Sequence, residues 1–354
     1  NNLYGKGTKI MTTELTTAWR PFVHHHSAHC ESGVTVALFR DKGIELTESM
    51  VFGIGSGIFF AYLPFIKWVG LPITTFRSRP GTLFSKVAKR LGAEFISRKY
   101  RNPQKGMEAL RRLLGEGHIV GLTTNIYWLS YMPQRFRFQF NGHNIVVIRE
   151  IENGFRVSDP VLDKPVDCPT EDLERARFAR GPLEPKGFMY YAASVAPDPD
   201  FKKACIAGMK DACNMMLRAP FPFIGIRGMR YLAKVTIQSP EKLGFKDACR
   251  RLANIVRMQE EVGTGGAGFR FMYAAFLQEA ADLFGSEELA RLSLEMTAIG
   301  DIWREFAVVS ARIIKERGQS GDTFAKAGGL MLICAGREEQ LFRDLDKIAR
   351  KFKA

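Results

Sequence analysis

Gly142-His143-Asn144-Ile145-Val146-Val147-Ile148, answered downstream by Val157-Ser158-Asp159-Pro160, is the stretch on which the fold of this chain turns. The first part is an apolar, β-branched run opened by a histidine, and it predicts a strand over 143–150. Glu152-Asn153-Gly154 is a turn signal, and 154–157 reads as the returning strand. In an antiparallel pair the start of one strand lies beside the end of the next. His143 and Asp159 are therefore expected at the same end of one ladder. Asn141-Gly142 is a second turn signal and predicts a further strand over 137–140.

Working outward, a thiol sits far upstream in His29-Cys30-Glu31-Ser32. A short helix is expected from near Ser27, carrying Cys30, Val34, Val36, Ala37 and Leu38. At a helix start the dipole and any protonated imidazole raise the thiolate fraction of a cysteine. A thiol, then a histidine, then an aspartate is the chain order of papain-like cysteine enzymes. There the thiolate attacks a carbonyl, the imidazole shuttles the proton and the carboxylate fixes the imidazole. The backbone N–H of Cys30 is the natural first oxyanion donor.

The remaining composition is that of an ordinary folded protein, with 46% hydrophobic and 25% charged residues in 354. That length favours two domains. No apolar run reaches the roughly 18 residues of a membrane span, the longest candidate (50–69) being interrupted by Gly53, Gly55, Gly57, Pro64 and Lys67. Residues 1–11 read as a leader left from expression, with Met11 as the native initiator; they lack a secretory pattern, which implies a cytoplasmic protein. The six cysteines form no C-x-x-C pair, and Cys205, Cys213, Cys249 and Cys334 read as small buried hydrophobes. His24, His25, His26 and His29 have no acidic or thiol partner at ligand spacing, so no metal and no cofactor is expected. The net charge of +14 suits an acidic partner, and no nucleic-acid module is visible.

Two regions follow. Strand and helix signals alternate over 12–196, with helices expected at 83–91 and 104–115 and strands at 58–63, 93–97 and 118–123. From 197 to 354 the pattern is helical, over 198–217, 240–262, 266–284, 286–316 and 338–353. Gly53-Ile-Gly-Ser-Gly lacks the order of a dinucleotide fingerprint and reads as a tight loop behind the cysteine helix. Gly263-Thr-Gly-Gly-Ala-Gly is no P-loop, yet it could bring backbone amides or Arg270 towards an anionic group. His24 and His29 are candidates for lining the entrance or donating to an oxyanion.

His29-Cys30-Glu31-Ser32, the 47–58 segment Thr-Glu-Ser-Met-Val-Phe-Gly-Ile-Gly-Ser-Gly-Ile, His143-Asn-Ile-Val-Val and Ser158-Asp159-Pro160 resemble the N-terminal domain of the butirosin biosynthesis protein H family. The 265–280 segment, with Arg270, Tyr273, Phe276 and Glu279, resembles the companion domain that often follows it. The resemblance implies an α+β, papain-like first domain, similar to double-glycine leader peptidases, and an all-helical second. It further implies acyl transfer in specialised metabolite biosynthesis, from a carrier-protein or coenzyme A thioester through an acyl-Cys30 to a small-molecule amine. Cys30 would be the nucleophile, His143 the base and acid, and Asp159 the orienting carboxylate. Leader peptidases place an oxyanion glutamine where this chain has His24, which leaves the second oxyanion donor unassigned. A hydrolase (peptidase, amidase or thioesterase) and a non-catalytic binding protein stay open as alternatives, as does assembly into a homo-oligomer.

Overall fold

The computed structural model describes residues 22–68, 70–317 and 321–352. The expected leader over 1–11 lies outside the described residues. Helix α1 (Cys30–Asp41) begins at the cysteine itself, with His29 as its N-cap residue. Thr47 caps α2 (Glu48–Ile54) by accepting from the Met50 N–H. The glycine run expected as a loop thus starts inside a helix. Its reason is contact: a Cβ on Gly53 would lie 2.0 Å from the Phe276 ring. A two-stranded ribbon follows, β1 (Ile58–Trp68) with β2 (Leu71–Arg77), and then α3 (Leu83–Leu91).

The main sheet contains β3 (Glu94–Arg98), β4 (Val120–Thr124), β5 (His143–Ile151), β6 (Gly154–Ser158), β7 (Val166–Pro169) and β8 (Met189–Ser194). They pair antiparallel in the order β3-β8-β4-β5-β6-β7. Strand alternation divides the faces of β5. Val146 packs with Val34 and Leu38 of α1. Ile145 and Val147 pack on the other side with Met107 and Leu110 of α4 (Pro103–Gly115) and Leu173 of α5 (Thr170–Arg177). Each such fully buried aliphatic chain contributes about 1.5–3 kcal/mol. A cysteine-headed helix laid on an antiparallel sheet, with a histidine opening a central strand, is a papain-like arrangement, and the fold is α+β.

The expected strand over 137–140 does not form. The chain between β4 and β5 instead runs through two short 3-10 turns, Ile126–Trp128 and Gln134–Phe136. Asn141 is drawn into side-chain bonds with the Pro182 carbonyl (2.9 Å) and Asn125 (2.7 Å), so tertiary contacts override its hairpin preference.

The helical half comprises α6 (Phe201–Arg218), α7 (Gly225–Leu243), α8 (Phe245–Glu260), α9 (Arg270–Phe284), α10 (Glu287–Ile314) and α11 (Phe324–Lys351). Two expectations needed correction. The helix expected over 240–262 starts only at Phe245, because Pro240 belongs to the last turn of α7. The Thr236 carbonyl, which a residue with an N–H at 240 would have bonded, accepts from the Ser239 hydroxyl at 2.8 Å. Helix α11 starts well before 338, running through Gly328-Gly329. Gly328 permits close packing on α7, since its Cβ would lie 2.9 Å from the Ala233 carbonyl oxygen.

The two halves share one apolar core. Val51, Phe52 and Ile54 of α2 cluster with Met209 of α6, Phe276 of α9 and Trp303 of α10. Thr47 adds a polar tie, donating to the Glu279 carboxylate of α9 at 2.8 Å. No helix among the described residues is long and apolar enough to cross a membrane.

Candidate active site

β5 begins at His143, whose register partner is Thr124 at the end of β4. Asp159 follows the last residue of β6. His143 Nε2 donates to Asp159 Oδ2 at 2.7 Å, with Asp159 wholly buried and His143 only 4% exposed. Tyr131 donates its hydroxyl to the same oxygen at 3.0 Å, and the Val161 N–H donates to Oδ1 at 3.2 Å. The His143 ring is held from behind by Asp159, and it and the Cys30 thiol shift one another electrostatically. Because Nε2 is taken by Asp159, the nitrogen left for the sulfur is Nδ1.

The electrostatics of the pair run in opposite directions. Burial pushes the Cys30 thiol up, but the bond and charge of His143, the Asn144 backbone and Arg77 outweigh it, and the thiol moves down. Burial pushes His143 down; the charge and bond of Asp159, then Cys30, outweigh it and raise it to about 10. A thiolate facing an imidazolium is the state both shifts favour. The other cysteines move the opposite way. Burial drives Cys168, Cys205 and Cys213 up to about 12, and raises Cys249 and Cys334 as well. Cys205, Cys213 and Cys334 are buried as expected, whereas Cys249 is half-buried.

Residues 29–160 match the family described as Butirosin biosynthesis protein H, N-terminal, and 171–345 match a domain of unknown function (DUF4872). Residues 29–160 thus belong to the butirosin biosynthesis protein H N-terminal family, followed by that second domain in a two-domain layout. No curated protein matches it. A crystal structure described as a C39-like peptidase from Bacillus anthracis is similar at 18% identity, covering 50% of this chain and 96% of that one, with a TM-score of 0.33.

In this butirosin protein H-like site, the other expected residues sit differently from their sequence reading. His24 Nε2 donates to the Leu162 carbonyl at 2.8 Å, so Nδ1 accepts from the Ser158 hydroxyl at 2.8 Å. Both ring nitrogens of His24 are thus taken, leaving neither for an oxyanion; it braces the turn that carries Asp159. The Ser27 N–H reinforces that brace by donating to the Pro160 carbonyl at 2.6 Å. His29 is 3% exposed and its Nε2 accepts from Arg77 Nη1, a group that can only donate. Burial, then Arg77 and His143, hold its basicity well below the usual imidazole range. His29 is a cap and a wall, edge-on to Phe269 at 5.2 Å between ring centroids, not an oxyanion donor.

Arg270 is corrected most sharply. It is completely buried, donating through Nε and Nη2 to both oxygens of Glu338 at 2.9 Å and through Nη1 to the Gly268 carbonyl at 2.7 Å. It meets a protein carboxylate, not an external anion. The glycine loop before it does approach the site: a Cβ on Gly265 would lie 3.4 Å from that of Ala28.

Several site residues escaped the sequence reading. Glu31, wholly buried, accepts from the Gly81 and Leu83 N–H groups at 3.0 Å and from Arg77 Nη2. Glu48 accepts from the N–H groups of Ala28 (3.0 Å) and His29 (2.7 Å) and from the Ser32 hydroxyl (2.9 Å). Glu48 pins the backbone just before Cys30, and Glu31, just after it, ties the helix start to Gly81, Leu83 and Arg77. For Glu31 the signal was there in His-Cys-Glu-Ser, a carboxylate directly after the cysteine. Among the described residues, no group of three or more His, Cys, Asp or Glu side chains could hold a metal ion.

Proposed function

We propose that this chain is a cysteine acyltransferase that takes an acyl group from a coenzyme A or carrier-protein thioester and passes it to a small-molecule amine. The single observation that carries this reading is the buried His143–Asp159 contact of 2.7 Å. Cys30 as thiolate attacks the thioester carbonyl; the Cys30 N–H, an orphan donor of the helix start, stabilises the oxyanion. Collapse breaks the carbon–sulfur bond of the donor, and His143 gives its proton to the departing thiol. The amine then attacks the acyl-Cys30, His143 takes the amine proton, and expulsion of the Cys30 thiolate leaves an amide. Asp159 stabilises the imidazolium at each stage and fixes its orientation.

Two features favour transfer over free hydrolysis. The 263–269 loop of the helical half lies against Ala28 and His29, and Phe269 stacks on Phe52 at 4.9 Å between centroids, so one flank of Cys30 is walled by apolar surface. A water-poor wall prolongs an acyl-enzyme until an amine arrives. A charged rim suits a phosphate-bearing donor. Arg135, Arg137 and Arg257 lie over the Phe136, Tyr127 and Phe138 rings at 4.8, 5.6 and 5.3 Å, where the loop leading into His143 meets α8.

Incubation of the full chain with acyl thioesters, followed by intact-mass measurement, should find one acyl group on Cys30. Addition of an amine panel should discharge it as amide. Discharge only to free acid, across every amine, would replace transfer by hydrolysis; no acylation at all would end both.

A further inference from the structure

Asn144 interrupts an otherwise apolar strand face directly beneath the first turn of α1. Burying a primary amide is costly unless its atoms are bonded, so what it bonds is informative. Nδ2 donates to the Gly142 carbonyl at 3.1 Å and points at Cys30 Sγ from 3.9 Å. Oδ1 accepts from the Tyr190 hydroxyl at 3.0 Å and from the Thr123 hydroxyl at 3.3 Å. The Gly142 carbonyl can only accept, so it fixes which end of the amide is nitrogen. The phenol of Tyr190 has no exposed surface, and stacks on Phe84 at 4.4 Å, which fixes its hydroxyl under Oδ1. With the flip settled, one amide hydrogen serves Gly142 and the other faces the sulfur.

We propose that the Asn144 side-chain amide, aimed by Tyr190, is a catalytic donor to the Cys30 sulfur that stabilises its thiolate together with His143. The proposal rests on Cys30 being the nucleophile, and it adds a second side chain beside the sulfur. Strand alternation produces this: Asn144 shares the α1-facing side of β5 with Val146, whereas the ring of His143 comes in from the strand end. The charged and titratable groups facing this end of α1 are His29 at its N-cap, His143 on β5, Arg77 on β2, Tyr190 on β8, Glu31 within α1 and Glu48 on α2. Of these, Tyr190 stays a neutral phenol, because burial, then Glu31 and Cys30, push its ionisation well above the usual range. It can therefore polarise the amide without adding negative charge beside the thiolate.

The test is the pH profile of Cys30 alkylation by iodoacetamide in the full chain, read by peptide mass mapping, for wild type, Asn144→Ala and Tyr190→Phe. Loss of the amide should move the midpoint up by about one pH unit, roughly a tenfold loss of thiolate below the midpoint. Tyr190→Phe removes a single oxygen and should move it the same way by less. A purely structural cross-link would change the melting temperature without moving this midpoint. If Asn144→Ala does not fold, Tyr190→Phe decides alone. Profiles that superimpose on wild type overturn the proposal, as does an unshifted thiol in wild type itself. Shifted profiles in a protein that acylates no amine would keep the Asn144 role and remove the transferase reading.

Discussion

Arg270 and Glu338 meet through two parallel contacts of 2.9 Å inside the helical half, with neither side chain exposed. Trp303 donates its ring N–H to the same carboxylate at 2.9 Å, and the guanidinium lies 5.5 Å from the Phe76 and Trp303 ring centres. This pair ties α9, α10 and α11 together under β2.

Removing one partner strands a buried charge. Glu338→Ala is expected to lose about 3–5 kcal/mol of unfolding free energy, whereas Arg270→Met, which leaves a carboxylate that can take up a proton and keep its Trp303 bond, should lose less. Urea unfolding of the two variants measures this. Where Arg270→Met remains folded, thioester turnover should be near wild type, because Arg270 touches no reacting group. A raised KM with an unchanged unfolding midpoint would return Arg270 to the ligand.

The His143–Asp159 contact makes a sharper demand. His143→Ala should lower acylation of Cys30 by roughly 10²–10⁴-fold, the usual scale of general acid–base catalysis. Asp159→Asn keeps the volume but removes the charge that holds His143 protonated, and a loss of similar order is expected. Single-turnover acylation, followed by mass, measures both. Rates within threefold of wild type for either variant, on the scale of about 10² or more expected here, would remove these residues from the chemistry.

Sign and direction can be worked out for pH. His143 is raised from 6.5 to about 10, so the folding stability it contributes is complete below 6.5 and is lost as pH rises through about 10. Cys30 is lowered from 9.0, so its contribution is present above 9.0 and lost as pH falls through its lowered value. For acylation, kcat/KM should climb on the acid side below the ordinary thiol range. It should decline near pH 10, as His143 loses the proton the departing thiol needs. Asp159→Asn should bring that decline to lower pH, since the carboxylate is the largest influence raising His143. A decline that stays in place would assign it to another group.

Much of this architecture was legible from pattern. The β5–β6 hairpin, with His143 and Asp159 at one end, follows from a β-branched run and a turn signal, both local. The helix that carries Cys30 also follows from local pattern, although it starts at Cys30 and not near Ser27 as expected. What sequence missed was set by distant contacts. Asn141 looked like a hairpin turn but serves Asn125 and Pro182. The last helix, expected only over 338–353, runs through Gly328, which lies against α7. Arg270 looked free because Glu338 is far away along the chain, and His24 looked available because Ser158 and Leu162 are too. Asn144 was visible as a polar interruption in an apolar strand, yet only the fold places it under a sulfur.

The rim arginines give the donor its own test. Arg135 and Arg257 are exposed, Arg137 is half-buried with its Nε on the Tyr127 carbonyl at 3.0 Å, and all three lie over aromatic rings. A guanidinium on an aromatic face is held in place yet still presents N–H donors outward, which suits phosphate oxygens. Changing the three to glutamine should raise KM for a coenzyme A thioester by about tenfold, since a hydrogen bond to a charged group contributes about 1.5–3 kcal/mol. The same acyl group on N-acetylcysteamine, which has no phosphate, should be used equally well by variant and wild type. The wild-type preference for the coenzyme A donor should also shrink as salt is added, because exposed charges are screened. Equal losses on both donors would mean that the variant disturbs the loop leading into His143, and a preference insensitive to salt would take the phosphate away from this rim.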